Sequence, residues 1–311
     1  MIKVVKENTN NNFIIGTHDS IFHQDEIIAI CILSLLYENI NVIRSRNIDL
    51  LKENNCLLID IGNGKYDHHQ INGNGKRDNG IKYASAGLIW KDYGYEVIKK
   101  LSNDLTKKDI DLIVESIDKN VIQKVDMVDN GEDNINTLFD YIDYFLPKWN
   151  TNEEYDNKFE ECINITSNIF KNIIESYISS YISKKEMEKL INSKKYHKNN
   201  ILIIPYKNIK YLDTVLEYND NNKDKIDFIA FSYNENGYAA KCVPKSKEDL
   251  FSQRIPFSKE WAGQREELSK ISGIKSALFC HNERFLVRAN DFNDIIKMCN
   301  IATNEYNKGH K

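Results

Sequence analysis

Apolar and polar positions fall into two regimes along the chain. Up to about residue 150, short apolar runs alternate with longer helical patterns. "NFIIG" predicts a short buried strand ending in glycine, and "EIIAICILSLLYEN", apolar nearly all round, predicts a buried helix. "NVIRSR" predicts a second strand. "NCLLIDIGNG", an apolar run closed by a Gly-Asn-Gly turn, predicts a fully buried parallel strand. "SAGLIWKDYGYEVIKKL" predicts a helix whose small first residues permit close packing. Residues 107–129 predict one long amphipathic helix, with Ile110, Ile113, Val114, Ile117, Val121, Val125 and Val128 near helical spacing and a stop at "DNG". Strands alternating with helices predict an α/β domain with a mainly parallel sheet flanked by helices.

Around "FLPKWN" (145–150) the pattern changes. A helical stretch without Gly or Pro follows, from about Glu153 to Ile191. Three strand-like runs come next, "NILIIPY", "KIDFIAFSY" and "GYAAKCVP", the last two joined as a hairpin around "NENG". "RIPFSKEWAGQREELSKISGI" reads as loop and helix, "SALFCHNERFLVRA" as strand-turn-strand, and the end as a closing helix. We therefore expect a domain over 1–150, then a linker helix and a smaller α+β domain over 151–311.

Composition narrows the function. The 311 residues carry a formal net charge of −4, which gives no global positive field for long nucleic acid. Six cysteines are widely spaced with no CxxC pair, which predicts reduced thiols rather than disulfides or a zinc knuckle. The N-terminus carries Glu7, no arginine and no long apolar core. No apolar run reaches the roughly 18 residues of a membrane span. The expectation is a soluble cytoplasmic protein with no membrane partner, and an oligomer is compatible with it.

The candidate chemistry lies in the first domain. Ligands of open α/β sheets sit beyond the carboxyl ends of the strands. His18, His23 and Asp25 follow the first strand, Asp60 closes the "CLLID" strand, and Asp67, His68 and His69 lie just after it. Asp126 and Asp129 lie in the last turns of the long helix. Imidazole and carboxylate together suit Mn²⁺, Zn²⁺, Fe²⁺ or Co²⁺ better than Mg²⁺. Asp60, on a rigid strand end, is placed to bridge two ions. Each residue also has a bland reading: Asp25 as the N-cap of a helix starting at Glu26, His18 as a loop residue, and the adjacent histidines as exposed. By periodicity Asp126 points away from the apolar stripe, towards solvent. Seven of these nine residues fall between 18 and 69, and that concentration favours a metal site.

"GTHDSIFHQDE", the strand-ending Asp60, "YDHHQ", "SAGLIW" and "VDMVDNG" together resemble the DHH phosphoesterase superfamily. The closest resemblance is to its MYG (melanocyte proliferating gene) exonuclease branch, over nearly the full length, with "RIPFSKEWAGQREELSKISGI" similar to that branch's C-terminal signature. The resemblance implies two Mn²⁺-like ions in the first domain, with Mg²⁺, Zn²⁺, Co²⁺ or Fe²⁺ as alternatives, and substrate in the cleft to the second. His18, His23 and Asp60 would hold one ion. Asp25, Asp60, His68 and either Asp126 or Asp129 would hold the other. His69 would sit beside the phosphate, and Asp67 would orient a histidine. Two departures stand out. Ser20 replaces a glycine, and "FCHNERFLVRAN" lacks the glycines of an "FxHxxGFxGG" turn, leaving Arg284 and Arg288 to supply charge. Arg44, Arg46, Arg254 and Arg265 are further candidates to fork onto phosphate. The expected activity is 3′-to-5′ exonuclease action on single-stranded RNA or short oligonucleotides, through two-metal activation of water. The alternatives are a small-molecule phosphatase, pyrophosphatase or nucleotide phosphodiesterase, and a non-catalytic metal- or nucleotide-binding protein.

Overall fold

The computed structural model describes residues 2–8, 12–132, 135–233 and 237–309. Its contacts divide into two compact units, Met1–Ser179 and Ser180–Lys311.

The first unit is a mixed α/β arrangement on a parallel sheet. β1 (Ile2–Val4) and β2 (Phe13–Thr17) precede α1 (Gln24–Ser34), followed by β3 (Ile40–Arg44), α2 (Ile48–Glu53) and β4 (Leu57–Leu58). The strand order is β1-β3-β2-β4, every pair parallel, with Phe13 opposite Ile40 and Ile15 opposite Leu57. Gln24 through Leu33 of α1 are all buried, as its lack of a polar face requires. Four of its isoleucines, Ile27, Ile28, Ile30 and Ile32, are fully enclosed, each stabilising the fold by about 1.5–3 kcal/mol. α1 packs on α3 (Ser85–Leu101).

Two of the expected elements take a different form. β4 is half-buried and short, because an edge strand has a neighbour on one side only. Ile59 N still donates to Gly16 O at 2.9 Å, and then Asp60 turns left-handed at φ 59°, which ends the pairing. The expected single helix over 107–129 is α4 (Lys107–Ile117), a π turn (Asp118–Ile122) and α5 (Gln123–Asp129). β1 and α2 were not anticipated. The long α6 (Tyr155–Asn192) runs across the division between the units.

The second unit carries β5 (His197–Lys198), β6 (Ile201–Ile204), α7 (Leu212–Asn221), β7 (Phe228–Ser232), β8 (Tyr238–Cys242), α8 (Leu268–Ser272), β9 (Ala277–Cys280), β10 (Leu286–Ala289) and α9 (Phe292–Gly309). The sheet order is β5-β6-β7-β8-β10-β9, antiparallel except for β6–β7. β7 and β8 pair as a hairpin would, while residues 234–236 of its "NENG" turn lie outside the described residues. One sheet face packs Phe228, Ala240 and Val287 with Met298 of α9. The other packs Leu202, Ile204 and Ile229 with Val215 of α7. All six cysteines are free thiols. Among the described residues, no helix is long and apolar enough to cross a membrane.

Candidate metal centre

Four segments bring their polar side chains together beyond the ends of β2 and β4. His18 leaves β2, and its Nε2 lies 3.2 Å from Asp60 Oδ2 and 3.3 Å from Glu26 Oε1. Its Nδ1 faces Asp19 O at 3.0 Å, which fixes the ring with Nε2 turned inward. His23 is the N-cap of α1, and its backbone N–H donates to Glu26 at 2.9 Å. Asp25 is therefore inside the helix and not its cap. It is fully buried, and Ser85 N at the start of α3 donates to its Oδ2 at 3.2 Å.

Asp60 sits at the centre. Its Oδ1 accepts from Ser85 Oγ at 3.1 Å and lies 3.3 Å from His68 Nε2. One carboxylate thus faces His18 with one oxygen and His68 with the other. Its left-handed backbone is a conformation that aspartate tolerates better than most residues. His68 Nε2 also lies 2.8 Å from Asp129 Oδ2. Asp67 accepts from Asn63 N at 2.6 Å and from His69 N at 3.0 Å, and its Oδ1 faces His69 Nδ1 at 3.0 Å. That anchorage leaves the far side of the His69 ring, 61% exposed, open to solvent.

The electrostatics are those of a site short of positive charge. Burial, followed by the charges of Asp60, Asp129 and Glu26, pushes the Asp25 carboxyl well above the usual carboxylate range. Burial opposes charge on His18, but hydrogen bonds with Asp60 and Glu26 outweigh it and raise the ring to about 10. His68 is likewise held at about 10 by Asp129 and Asp60 against burial. The same two histidines hold Asp60 below its ordinary value, although burial works the other way.

The residues fit divalent cations. Asp25 Oδ1 is buried with no hydrogen-bond partner, an expensive state for a carboxylate that a cation relieves. Ligand atoms lie within 4.8 Å of one another in three groups: His18, His23, Glu26 and Asp60; Asp60, His68 and His69; His23, Asp25 and Asp129. The mixed nitrogen and carboxylate donors favour first-row transition ions.

The model of an uncharacterised protein family (UPF0160), labelled MYG1_exonuc, matches residues 14–303, which include all the site residues above. The chain belongs to this family. It is 28% identical to the "MYG1 protein" of Dictyostelium discoideum, over 88% of this chain and 91% of that one. It is 27% identical to a Schizosaccharomyces pombe "MYG1 protein", covering 94% and 98%, and 25% identical to the mouse "MYG1 exonuclease", covering 88% and 80%. No solved structure matches.

Within this MYG1-family chain the other candidates separate. Asp126 is fully buried, not solvent-facing as periodicity implied. The π turn inserts a residue and rotates the rest of the helix, so the buried stripe passes to Val121, Ile122, Val125 and Asp126. Asp126 lies 2.7 Å from Arg77 NH1, whereas Asp129 faces His68. Arg44 is buried, 3.0 Å from Asp156, donates to Ser20 O and lies over the Phe159 ring at 4.3 Å. Those contacts give it a packing role in place of the expected phosphate contact. Arg46, in contrast, lines a cavity of about 230 Å³ with His18, His23, Asp60, Asp67 and His69, and pairs with Asp19 at 3.3 Å.

The second unit holds the remaining arginines. Arg254 donates to Asp227 at 2.8 Å. Arg265 lies over Phe279 at 5.1 Å, and Arg288 over Tyr233 at 4.1 Å. Arg284 occupies the first glycine position of the altered turn and keeps a left-handed φ of 56°. Trp261 is buried against Phe257. Sequence reasoning missed Glu26, Ser85 and Arg77. Glu26 carried a signal, standing three residues after His23 where a capping carboxylate belongs. Arg77 carried none.

Proposed function

We propose that this chain is a metal-dependent 3′-to-5′ exonuclease acting on single-stranded RNA or short oligonucleotides. The observation that carries the reading is Asp60, whose two oxygens face His18 on one side and His68 on the other. A carboxylate placed so would serve to hold two ions, one on each oxygen. His18, His23 and Asp60 would hold the first, with Glu26 beside them. Asp25, Asp60, His68 and Asp129 would hold the second. Two such ions, Mn²⁺ foremost on the donor set, would supply an activated water and a clamp on the phosphoryl oxygens.

The chain's own residues do the rest. Asp67 fixes the His69 ring through Nδ1, and in the imidazolium form the ring's Nε2–H can donate to a non-bridging phosphoryl oxygen as charge grows there. Arg46, on the rim of the same cavity, can fork onto a phosphate. A cavity of about 230 Å³ accommodates a phosphate and part of one sugar, which suits attack at a strand end. The net charge of −4 suits a short single strand better than a long duplex. The exonuclease names of the mouse and rat relatives support the class.

The test is metal-stripped protein restored with Mn²⁺, Mg²⁺ or Zn²⁺ and given end-labelled single-stranded RNA and DNA. Stepwise shortening from the 3′ end, absent in Asp60→Ala, supports the reading. Hydrolysis of mononucleotides or pyrophosphate with intact RNA would replace it by a small-molecule phosphatase. Ion binding without any product would leave a binding protein.

A further inference from the structure

We propose that Arg77 is a positioning residue for the second ion, acting through the π turn to aim Asp129. The proposal rests on the two-ion reading above. Arg77 is buried and is not itself among the ligands, yet it grips the helix that carries Asp129 at the first residue of its irregular turn and again beyond that turn. Its Nε donates to Asp118 Oδ2 at 2.8 Å and its NH2 to Asp118 Oδ1 at 2.7 Å, a two-pronged contact with the first residue of the π turn. Its NH1 lies 2.7 Å from Asp126 Oδ2, two turns further on. The backbone of Arg77 is itself anchored, since its N–H donates to Ile81 O and its carbonyl accepts from Gly80 N, both at 2.9 Å. The guanidinium stacks over Tyr83 at 4.3 Å.

The partner carboxylate is locked from the other side. Asp126 Oδ1 accepts from Gly87 N in the first turn of α3 at 2.9 Å. A Cβ at Gly87 would meet Asp126 Oδ2 at 1.9 Å, so glycine is what lets the two helices come this close. The same turn of α3 presents Ser85 to Asp25 and Asp60. Asp126, paired with Arg77, therefore ties α5 to the element whose Ser85 also holds Asp25 and Asp60.

The geometry has two consequences. An extra residue in a helix rotates everything after it by about one residue's turn, roughly 100°. Pinning Asp118 and Asp126 together fixes that rotation, and Asp129, one turn beyond Asp126, is brought to 2.8 Å from His68. Arg77 also supplies the positive charge that Asp126 needs when buried, which keeps that carboxylate away from the ion. The choice between Asp126 and Asp129 is thus made by an arginine about 50 residues upstream. A lysine retains the charge but not the fork.

The experiment is Mn²⁺ titration of metal-stripped wild type, Arg77→Lys and Asp118→Asn, followed by calorimetry and by electron paramagnetic resonance, with circular dichroism as the folding check. Asp118→Asn keeps the pair with Asp126 and removes only the charge at the π turn, so it stays informative if Arg77→Lys unfolds. The expected result is that wild type binds two ions. The variants keep one at wild-type affinity and bind the other about 10–100-fold more weakly, the size of outer-shell effects. The coupled two-ion signal gives way to that of a single ion. Two ions bound as in wild type by a folded variant overturn the role of Arg77 and leave the two-ion reading standing. Equal weakening of both ions in folded Asp118→Asn overturns it in favour of general destabilisation. Fewer than two ions in wild type overturns both.

Discussion

Asp25 in the first unit and Asp227 in the second are both buried carboxylates, and their surroundings differ in kind. Asp227 has a partner on each oxygen, Arg254 Nε at 2.8 Å and Asn200 Nδ2 at 3.0 Å. Asp25 is fully enclosed, has Asp60, Asp129 and Glu26 as charged neighbours, and leaves Oδ1 without a hydrogen bond. A satisfied buried carboxylate is scaffold. An unsatisfied one among other acids is a place the fold keeps for something it does not itself contain. Arg44 and Arg254 are paired with Asp156 and Asp227 away from the cavity, whereas Arg46, in an exposed pair with Asp19, stands on its rim.

The largest effect is expected at Asp60. Asp60→Ala should abolish tight binding of both ions and lower nuclease activity by at least roughly 10²–10³-fold, measured with Mn²⁺-restored protein. Retention of either ion at full affinity would show that Asp60 is not shared. Proton release tests it next. His18 and His68 stand at about 10 in the metal-free protein, so both carry protons at neutral pH that an ion must displace. Affinity should therefore rise with pH from 6 to 8, by up to about tenfold per unit for each proton displaced. Calorimetry in buffers of different ionisation enthalpy counts those protons. The sign for stability is opposite. These raised histidines stabilise the metal-free fold fully below their unfolded value of 6.5, and that contribution is lost as pH climbs through about 10. The metal-free melting temperature should fall over this window.

The second unit gives the smaller effects. Arg254→Ala should destabilise the fold by about 1–3 kcal/mol, because Asp227 loses its charged partner, and should leave Mn²⁺ affinity unchanged. Denaturant unfolding and titration of the same sample separate the two. Arg284→Gly should have the smallest effect, a gain under about 1 kcal/mol. Relief of a left-handed non-glycine residue is partly offset by the greater freedom of glycine when unfolded.

Much of this was legible in the sequence. "GTHDSIFHQDE" set a polar loop between a strand and a wholly apolar helix, and β2, α1 and the inward His18 and Asp25 arise from that pattern. Asp60 was legible as the end of an apolar run. The left-handed turn that aims it was not, since nothing in "CLLID" encodes where pairing stops. The π turn was invisible for the same kind of reason. A regular period assigned Asp126 to solvent, while one inserted residue buries it and turns Asp129 to His68. β1 is a three-residue edge strand and too short to show a period. α7 buries only Thr214, Val215, Leu216 and Asn219, a weak stripe in a polar segment. In the second unit the arginines were visible as charges. Their partners, Asp227 and the rings of Phe279 and Tyr233, come from segments distant in sequence, and only the folded unit pairs them.

The central claim is that one carboxylate, Asp60, is shared by two ions. The most direct measurement is a crystal structure of Mn²⁺-loaded protein with anomalous data at the manganese edge. The account predicts two anomalous peaks roughly 3.5–4 Å apart on either side of Asp60. One should be ligated by His18, His23 and Asp60, and the other by Asp25, Asp60, His68 and Asp129. A single peak, or two peaks neither of which touches Asp60, would contradict it.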